Sequence, residues 1–378
     1  MFRHVYYNRV GEINTVKHIY LKLMKEKQHV ILVCPLNWGL GHAARCIPLI
    51  RLLIQQGDKV IVAGEGSVLD LLKEEFPSLQ VVVMKGVEIK YSAKGFSFIS
   101  MLFFFPSLVV SVFKEHRLLK RLIKEYKIDV VISDNRYGLW SSKVKSIFIT
   151  HQLNIMLPAK WKFAEKLVHA MNHYFINKFD ECWIPDESSC PVSGELALAL
   201  TKNSKLKYIG ILSRFIDGNI EQLTTNYEVL VILSGPEPQR TILENTLCNQ
   251  LLTLNKRVLL VRGKPQEKEE RPAIGVLSFV NHLPSGILKS LLLQSKFIIC
   301  RSGYSSLMDL AAVGRCAVII PTPGQTEQEY LAHFHQLKGN HIKQLQQHIN
   351  LEEAFKEVQN CHSLTLTNTT LKTIVNTI

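Results

Sequence analysis

An α/β protein with two Rossmann-like halves is the fold class this sequence predicts, and three observations predict it. Short continuous apolar runs recur along the 378 residues: His29–Cys34, Lys59–Ala63, Leu79–Met84, Ile128–Ser133 and Ser146–Thr150 early, then Glu228–Leu233, Arg257–Arg262, Phe297–Cys300 and Ala317–Ile320 late. Runs without polar alternation read as parallel strands covered on both faces. Segments of helical spacing separate them, several closed by a glycine such as Gly57 or Gly314, as βαβ units require. A polar stretch, 216–226, parts the runs into two groups, and the chain is long enough for two full cores. The expected organisation is an extension over 1–27, a first domain over 28–215, a second over 227–340, and a polar helical segment over 341–378 that crosses back to brace the first. Met24 is a second candidate for the native start.

Composition narrows the partners. A formal charge of +13 suits nucleic acid, an anionic membrane surface or phosphorylated substrates. No zinc finger or RNP-type aromatic motif occurs, so no nucleic-acid partner is expected. The eight cysteines form no C-x-x-C pair and several sit in apolar strands, which reads as buried thiols in a reducing cytosol. The first residues are polar and aromatic and carry no signal-peptide pattern.

The first strand, His29–Cys34, leads into Asn37-Trp38-Gly39-Leu40-Gly41-His42 and a helix over Cys46–Gln56. Gly39, Gly41 and Ala44 fit a dinucleotide fingerprint, with Glu65 placed as a ribose acid, which is one reading. In the other, His42 at the helix start reaches a bound substrate; the helix dipole lowers its pKa and leaves it ready to accept a proton. A capping role for His42 is the plain alternative. Next, 96–113 is uncharged and flanked by Lys90, Lys94, Lys114, Arg117, Lys120, Arg121 and Lys124. It is borderline in length for a span, and Pro106 interrupts it. The expectation is a surface, amphipathic or hairpin-like, that dips into an anionic bilayer through 96–124; a buried core helix is the alternative.

After Ile128–Ser133 comes Asp134-Asn135-Arg136-Tyr137-Gly138. Polar groups at the end of an apolar strand mark a site in an open α/β sheet. Asp134 is a candidate base and Arg136 a candidate anion clamp, against an Asx turn with Asp134 as a cap. Ser146–Thr150 leads directly into His151-Gln152-Leu153-Asn154. In the second half, Ser234 and Gly235 form a turn entering a helix, with Arg240 as a positive charge, and Arg262 ends a strand at the crevice.

The strongest chemical signal begins at Phe297. A buried strand runs into Arg301-Ser302-Gly303, a helix carrying Asp309, a second buried strand, and a polar loop with Gln328 and Glu329. Small residues at a helix start present free N–H groups and the positive dipole end, an anion site. Asp309, about a turn and a half on, is placed to take both ribose hydroxyls. An ordinary βαβ unit is the alternative.

This block resembles the donor-binding half of GT-B nucleotide-sugar glycosyltransferases, which have two facing Rossmann-like domains and an interdomain cleft, and above all the MurG-like family. The resemblance implies that Arg301, Ser302 and Gly303 cradle a donor diphosphate, that Asp309 holds the ribose, and that Gln328 and Glu329 hold the sugar. It makes Arg214 a phosphate-facing residue, and Phe279, Val280 and Asn281 the uracil pocket. It turns the Asn37, Gly39, Gly41 loop, Arg136 and the His151…Asn154 loop towards an acceptor. Three departures stand out: Asp309 replaces a longer Glu, Glu329 replaces a second Gln, and Gln152 replaces an acid in the acceptor loop. The implied activity is inverting transfer from a UDP-sugar to a lipid-linked or envelope glycan by a cytoplasmic enzyme peripheral on the inner membrane face. His42, Asp134 and His151 are the candidate bases. No D-x-D pair occurs, so neither metal nor cofactor is expected. A sugar-nucleotide epimerase and an NAD(P)-dependent dehydrogenase are the rival activities.

Overall fold

The computed structural model describes residues 28–86, 98–188, 191–199, 203–216, 220–223, 225–364 and 371–376, without the side chains of 98–105 and 372. Its first sheet has seven strands: β1 (Val30–Pro35), β2 (Lys59–Gly64), β3 (Gln80–Val83), β4 (Val130–Asp134), β5 (Lys145–Ile149), β6 (Glu181–Ile184) and β7 (Leu206–Tyr208), in the order β3-β2-β1-β4-β5-β6-β7. Every neighbouring pair is parallel. The second sheet holds β8 (Val229–Ile232), β9 (Val258–Val261), β10 (Leu277–Val280), β11 (Phe297–Arg301), β12 (Val318–Ile320) and β13 (Ile342–Lys343), in the order β10-β9-β8-β11-β12-β13, also wholly parallel. The uninterrupted apolar runs are the strands, and Ile31, Leu32, Val131, Ile132, Val231 and Ile299 are wholly buried, as two-sided helix cover demands.

Helices cover both faces. On one face of the first sheet, α1 (Leu40–Gln55) and α2 (Gly66–Glu75) share a core with Ile31, Val33 and Ile132. On the other face, α3 (Phe98–Tyr126) and α4 (Glu165–Ile176) bury Leu119, Leu122 and Ile176. The second sheet carries α5 (Gln239–Leu251), α6 (Ser285–Gln294), α7 (Tyr304–Ala312), α8 (Thr326–Leu337) and α9 (Leu351–Glu357). A last short helix, α10 (Leu371–Val375), returns to the first core through Leu371 and Val375.

Two expectations are revised. Pro106 does not break the apolar segment: α3 is one helix of 29 residues with Pro106 inside it. Among the described residues no helix is long and apolar enough to cross a membrane. The segment predicted as helical from 341 opens instead with β13, and α9 belongs to the second core through Leu351, Ala354 and Phe355.

Strand order reverses between β1 and β4 in one sheet and between β8 and β11 in the other. Loops at the carboxyl ends of strands part at such a reversal and leave a crevice. Pro35 and Asp134 are register partners at the first reversal, so the loop after β1 and the residues after β4 open side by side.

Candidate active site in the interdomain cleft

The loop after β1 enters α1 through Gly39, whose φ of +134° is closed to most side chains. The helix therefore starts at Leu40, and His42 and Arg45 lie one turn apart on the face towards β4. Asp134, the last residue of β4, is wholly buried between them. Arg45 Nε donates to Asp134 Oδ2 at 3.0 Å, and its NH2 group donates to Oδ1. His42 Nδ1 lies 3.0 Å from Asp134 Oδ2. Arg45 NH2 lies 2.8 Å from the same nitrogen. A carboxylate only accepts and a guanidinium only donates, so the tautomer that bonds Asp134 carries its proton on Nδ1 and leaves the lone pair on Nε2, while the other tautomer accepts from Arg45. Among the described residues nothing bonds that Nε2.

Charge follows this geometry. Burial pushes the Asp134 carboxyl up, but the Arg45 guanidinium and His42 outweigh it and hold the pKa at about 2. Burial, then Arg45, lowers the His42 pKa below its usual value, against the pull of Asp134. The His42 imidazole is therefore neutral near pH 7.

His151, just beyond β5, completes the cluster. Its Nδ1 is 3.0 Å from Arg45 NH1 and its Nε2 is 3.0 Å from Glu327 Oε1. Its ring stacks on Tyr304 with centroids 3.7 Å apart and planes 8° from parallel. Glu327 and Tyr304 belong to the second domain, so the cluster straddles the cleft. Two more contacts close it: Ser305 Oγ donates to the Gly41 carbonyl at 3.0 Å, and the Tyr330 hydroxyl accepts from the Glu195 N–H at 2.8 Å. A Cβ at Gly41 would stand 2.8 Å from Ser305 Oγ, so only glycine lets the loop approach α7 this closely.

Across the cleft, the Arg301-Ser302-Gly303 turn feeds α7 with Gly303 as its N-cap. Ser302 Oγ donates to the Gln328 carbonyl at 2.8 Å, joining this turn to the loop after β12. Gln328 Oε1 accepts from the Thr322 N–H, and Glu329 Oε1 from the Gly324 N–H. Gly235, with φ of +98°, lies beside Thr322, whose buried hydroxyl has no partner. Asp309 accepts from Ser213 Oγ at 2.6 Å and faces Arg214 Nε at 3.4 Å. Burial raises its pKa, with Arg214 opposing. Three strand-end turns thus converge beside the His42 cluster.

Residues 229–374 match the glycosyltransferase family 28 C-terminal domain. Over 323 residues the chain is 23% identical to the UDP-N-acetylglucosamine–N-acetylmuramyl-(pentapeptide) pyrophosphoryl-undecaprenol N-acetylglucosamine transferase of Lactobacillus johnsonii, covering 79% of each. The chain is a GT-B glycosyltransferase resembling the MurG-like family. Solved structures agree on the fold. Acinetobacter baumannii MurG superposes with a TM-score of 0.51 at 14% identity, over 93% of this chain and 100% of that one. The glycotransferase of kitacinnamycin superposes with a TM-score of 0.61 at 14% identity, over 93% and 94%.

Several residues expected to face ligand are internal braces of this glycosyltransferase. Arg136 is buried against Glu115 and the carbonyls of Met84 and Lys85, so it is no anion clamp. Arg240 is neutralised by Glu237 and Glu244, and Arg262 by Glu244 and Glu267. Asn281 accepts from Arg262 and donates to the carbonyls of Glu267 and Glu269, which takes its side chain out of any base pocket; Val280 is half-buried beside it. Asn154 donates to the carbonyls of Glu195 and Leu198. Arg301 donates only to the carbonyls of Ile320, Pro321 and Gln239, shaping the turn from below. Asn37 sits half-buried beside Gly66. Glu65, the ribose acid of the dehydrogenase reading, accepts from the Gly86 N–H.

Sequence reasoning missed Arg45 and Glu327. Arg45 had a signal: a lone charge on the apolar face of a helix, one turn after His42. Glu327 had none, because its partners lie 176 and 175 residues away.

Proposed function

We propose that the enzyme moves a hexose or N-acetylhexosamine from a UDP-sugar to a lipid-linked or envelope glycan acceptor at a membrane surface, with inversion and without a metal. One observation carries the reading: a neutral His42, oriented by a buried carboxylate, keeps one ring nitrogen open beside a helix-start phosphate turn.

His42 Nε2 takes the proton of the acceptor hydroxyl as its oxygen attacks the anomeric carbon. The new C–O bond forms as the bond to the diphosphate breaks on the opposite face, and UDP leaves with that electron pair. The α7 N-terminus and Arg214 meet the charge that develops on the leaving group. Asp134, ionised far below neutral pH, stabilises the imidazolium and does not itself act as the base. Both ring nitrogens of His151 are occupied, which leaves His42 as the base. Asp309 binds the ribose by exchanging Ser213 and Arg214 for the two hydroxyls, and Gln328 and Glu329 present the sugar pocket.

The membrane side of the reading rests on one face of the first domain. There α3 exposes Val110 and Phe113, the latter 71% exposed, among Lys114, Arg117, Lys120, Arg121 and Lys124. The stretch where α4 begins exposes Phe163 at 79% and Leu167 at 65%, with Lys160, Lys162 and Lys166 close by in sequence. Apolar side chains rimmed by cations suit peripheral binding to an anionic bilayer.

The test is UDP release from UDP-N-acetylglucosamine, with a lipid-linked N-acetylmuramyl-pentapeptide acceptor presented in anionic or neutral vesicles. His42→Gln lowers kcat by about 10²–10⁴-fold with UDP binding unchanged. The wild-type acid limb of kcat/KM falls below the usual histidine midpoint of about 6.5, activity rising with pH through it. Turnover within about tenfold of wild type in His42→Gln would falsify the assignment of the base. A panel of UDP-sugars in the same assay ranks the donors.

A further inference from the structure

Glu327 is a second-domain residue whose carboxylate is held by two first-domain side chains. His151 Nε2 lies 3.0 Å from its Oε1, and Gln152 Nε2 donates to its Oε2. The other nitrogen of His151 faces Arg45 NH1 at 3.0 Å. A guanidinium only donates, so His151 Nδ1 accepts and the ring proton sits on Nε2, pointing at Glu327. Arg45 in turn grips Asp134, and Asp134 holds His42. An unbroken chain of contacts therefore runs Glu327, His151, Arg45, Asp134, His42. Its first member stands on α8 and the other four on the first domain.

The acceptor loop reads His151-Gln152, with an amide where the resemblance leads one to expect an acid. The structure supplies an acid to the same histidine from the opposite domain. We infer that Glu327 is a positioning residue that provides His151 with its carboxylate across the cleft, so that the Arg45–Asp134–His42 arrangement is fully set only when the two domains are closed. The inference rests on the reading of His42 as the base.

The geometry makes this coupling one-directional in a useful sense. His42, Arg45 and Asp134 lie on α1 and β4 of one rigid unit, and can hold one another whatever the second domain does. Among the described residues His151 makes the polar contact of the four with the second domain, to Glu327, and the Tyr304 ring of that domain stacks on it at 3.7 Å and lies against Arg45. Opening the cleft removes both. His151 Nε2–H then has no carboxylate, its tautomer is no longer fixed, and Arg45 loses the acceptor that fixes its NH1 group. The base is thereby loosened in the open enzyme, where water has access, and aligned in the closed one, where the donor is enclosed.

The groups facing His42 are Arg45 on its own helix, Asp134 from β4, His151 after β5, and Glu327 from α8; Tyr304 from α7 lies against Arg45 and His151, and Cys46 against Asp134. Removing the negative charge of Glu327 from this set disfavours the imidazolium, so the His42 midpoint falls.

Glu327→Gln tests the inference by two readouts on the full-length enzyme. In the histidine NMR titration, with the His42 signal assigned by its loss in His42→Gln, the His42 midpoint moves down relative to wild type. In the UDP-release assay kcat falls about tenfold, while KM for UDP-N-acetylglucosamine changes less than kcat, as a loss confined to the transition state requires. The double variant Gln152→Glu with Glu327→Gln returns the charge to the same hydrogen-bonded trio and restores most of kcat and the His42 midpoint. An unchanged midpoint and kcat in Glu327→Gln overturns the inference. So does a fall in kcat that the double variant fails to recover, which assigns Glu327 a structural role only. If His42→Gln itself stays active, the reading of the base has failed and not the coupling. An inactive His42→Gln beside a fully active Glu327→Gln shows the reverse.

Discussion

Among the described residues there are two arginine–aspartate pairs, one wholly buried and one partly buried, and they behave differently. Arg45 and Asp134 lie within the first domain and meet through two guanidinium nitrogens, with the carboxylate wholly buried and its pKa held at about 2. Arg214 and Asp309 join the interdomain linker to α7 through a single 3.4 Å approach, and burial still raises the Asp309 pKa. A bidentate pair holds one geometry and one charge state. A long, one-point pair leaves the carboxylate poorly compensated and ready to exchange its partner for a better set of donors. The first pair suits a fixed catalytic frame, the second a site that a ligand completes.

The sharpest way to break the contrast is Arg45→Met. It strands Asp134 as an unpaired buried carboxylate, costing ~3–5 kcal/mol of stability, to be read from urea unfolding. A loss below ~1 kcal/mol would show that the pair is no tighter than an exposed one. A smaller effect is visible without mutation. Asp134 has a folded-state pKa below its unfolded value of about 3.9, so its ionised form favours the folded state. That contribution, ~2 kcal/mol, is fully present above about pH 4 and is lost as pH falls through about 2. Asp134→Asn removes this part of the acid limb of stability, and an unaltered limb would count against the depressed pKa. The smallest effect on stability belongs to Asp309→Asn. Its folded pKa is raised, so the ionised carboxylate opposes folding at neutral pH and the opposition fades as pH drops through the raised value. Neutralising it changes stability by less than ~1 kcal/mol, yet weakens UDP about tenfold, ~1.4 kcal/mol, in calorimetry. Equal loss of stability in Arg45→Met and Asp309→Asn would erase the distinction.

Much of this architecture is legible in the residues. Continuous apolar runs mark β1, β2, β4, β5, β8, β9, β11 and β12, because a two-sided sheet leaves no solvent face to record. The cysteines among them are buried thiols, as their apolar neighbours imply. The element β13 escaped because two residues carry no period. At the site, His42, Asp134 and His151 stand together in the structure as three strand-end loops. The arginines were harder. Arg136, Arg240, Arg262 and Arg301 all sit at strand ends or helix starts, where a phosphate clamp would also sit. What decides between brace and clamp is a glutamate such as Glu115 or Glu244, or a set of carbonyls, brought in from elsewhere in the chain. Local pattern cannot supply that, and it cannot supply Glu327.

The return of α10 to the first core has a mechanical consequence. The chain passes between the halves twice, once in the stretch between β7 and β8 and again between Leu364, packed on the second core, and Leu371, packed on the first. Gln56 Nε2 donates to Asn376 Oδ1 at 2.6 Å, adding a polar tie to the second passage. Two crossings oppose relative twisting and sliding of the halves that a single crossing would allow. Trimming the chain before Leu371 would leave one crossing and remove that constraint on the approach of Glu327 to His151.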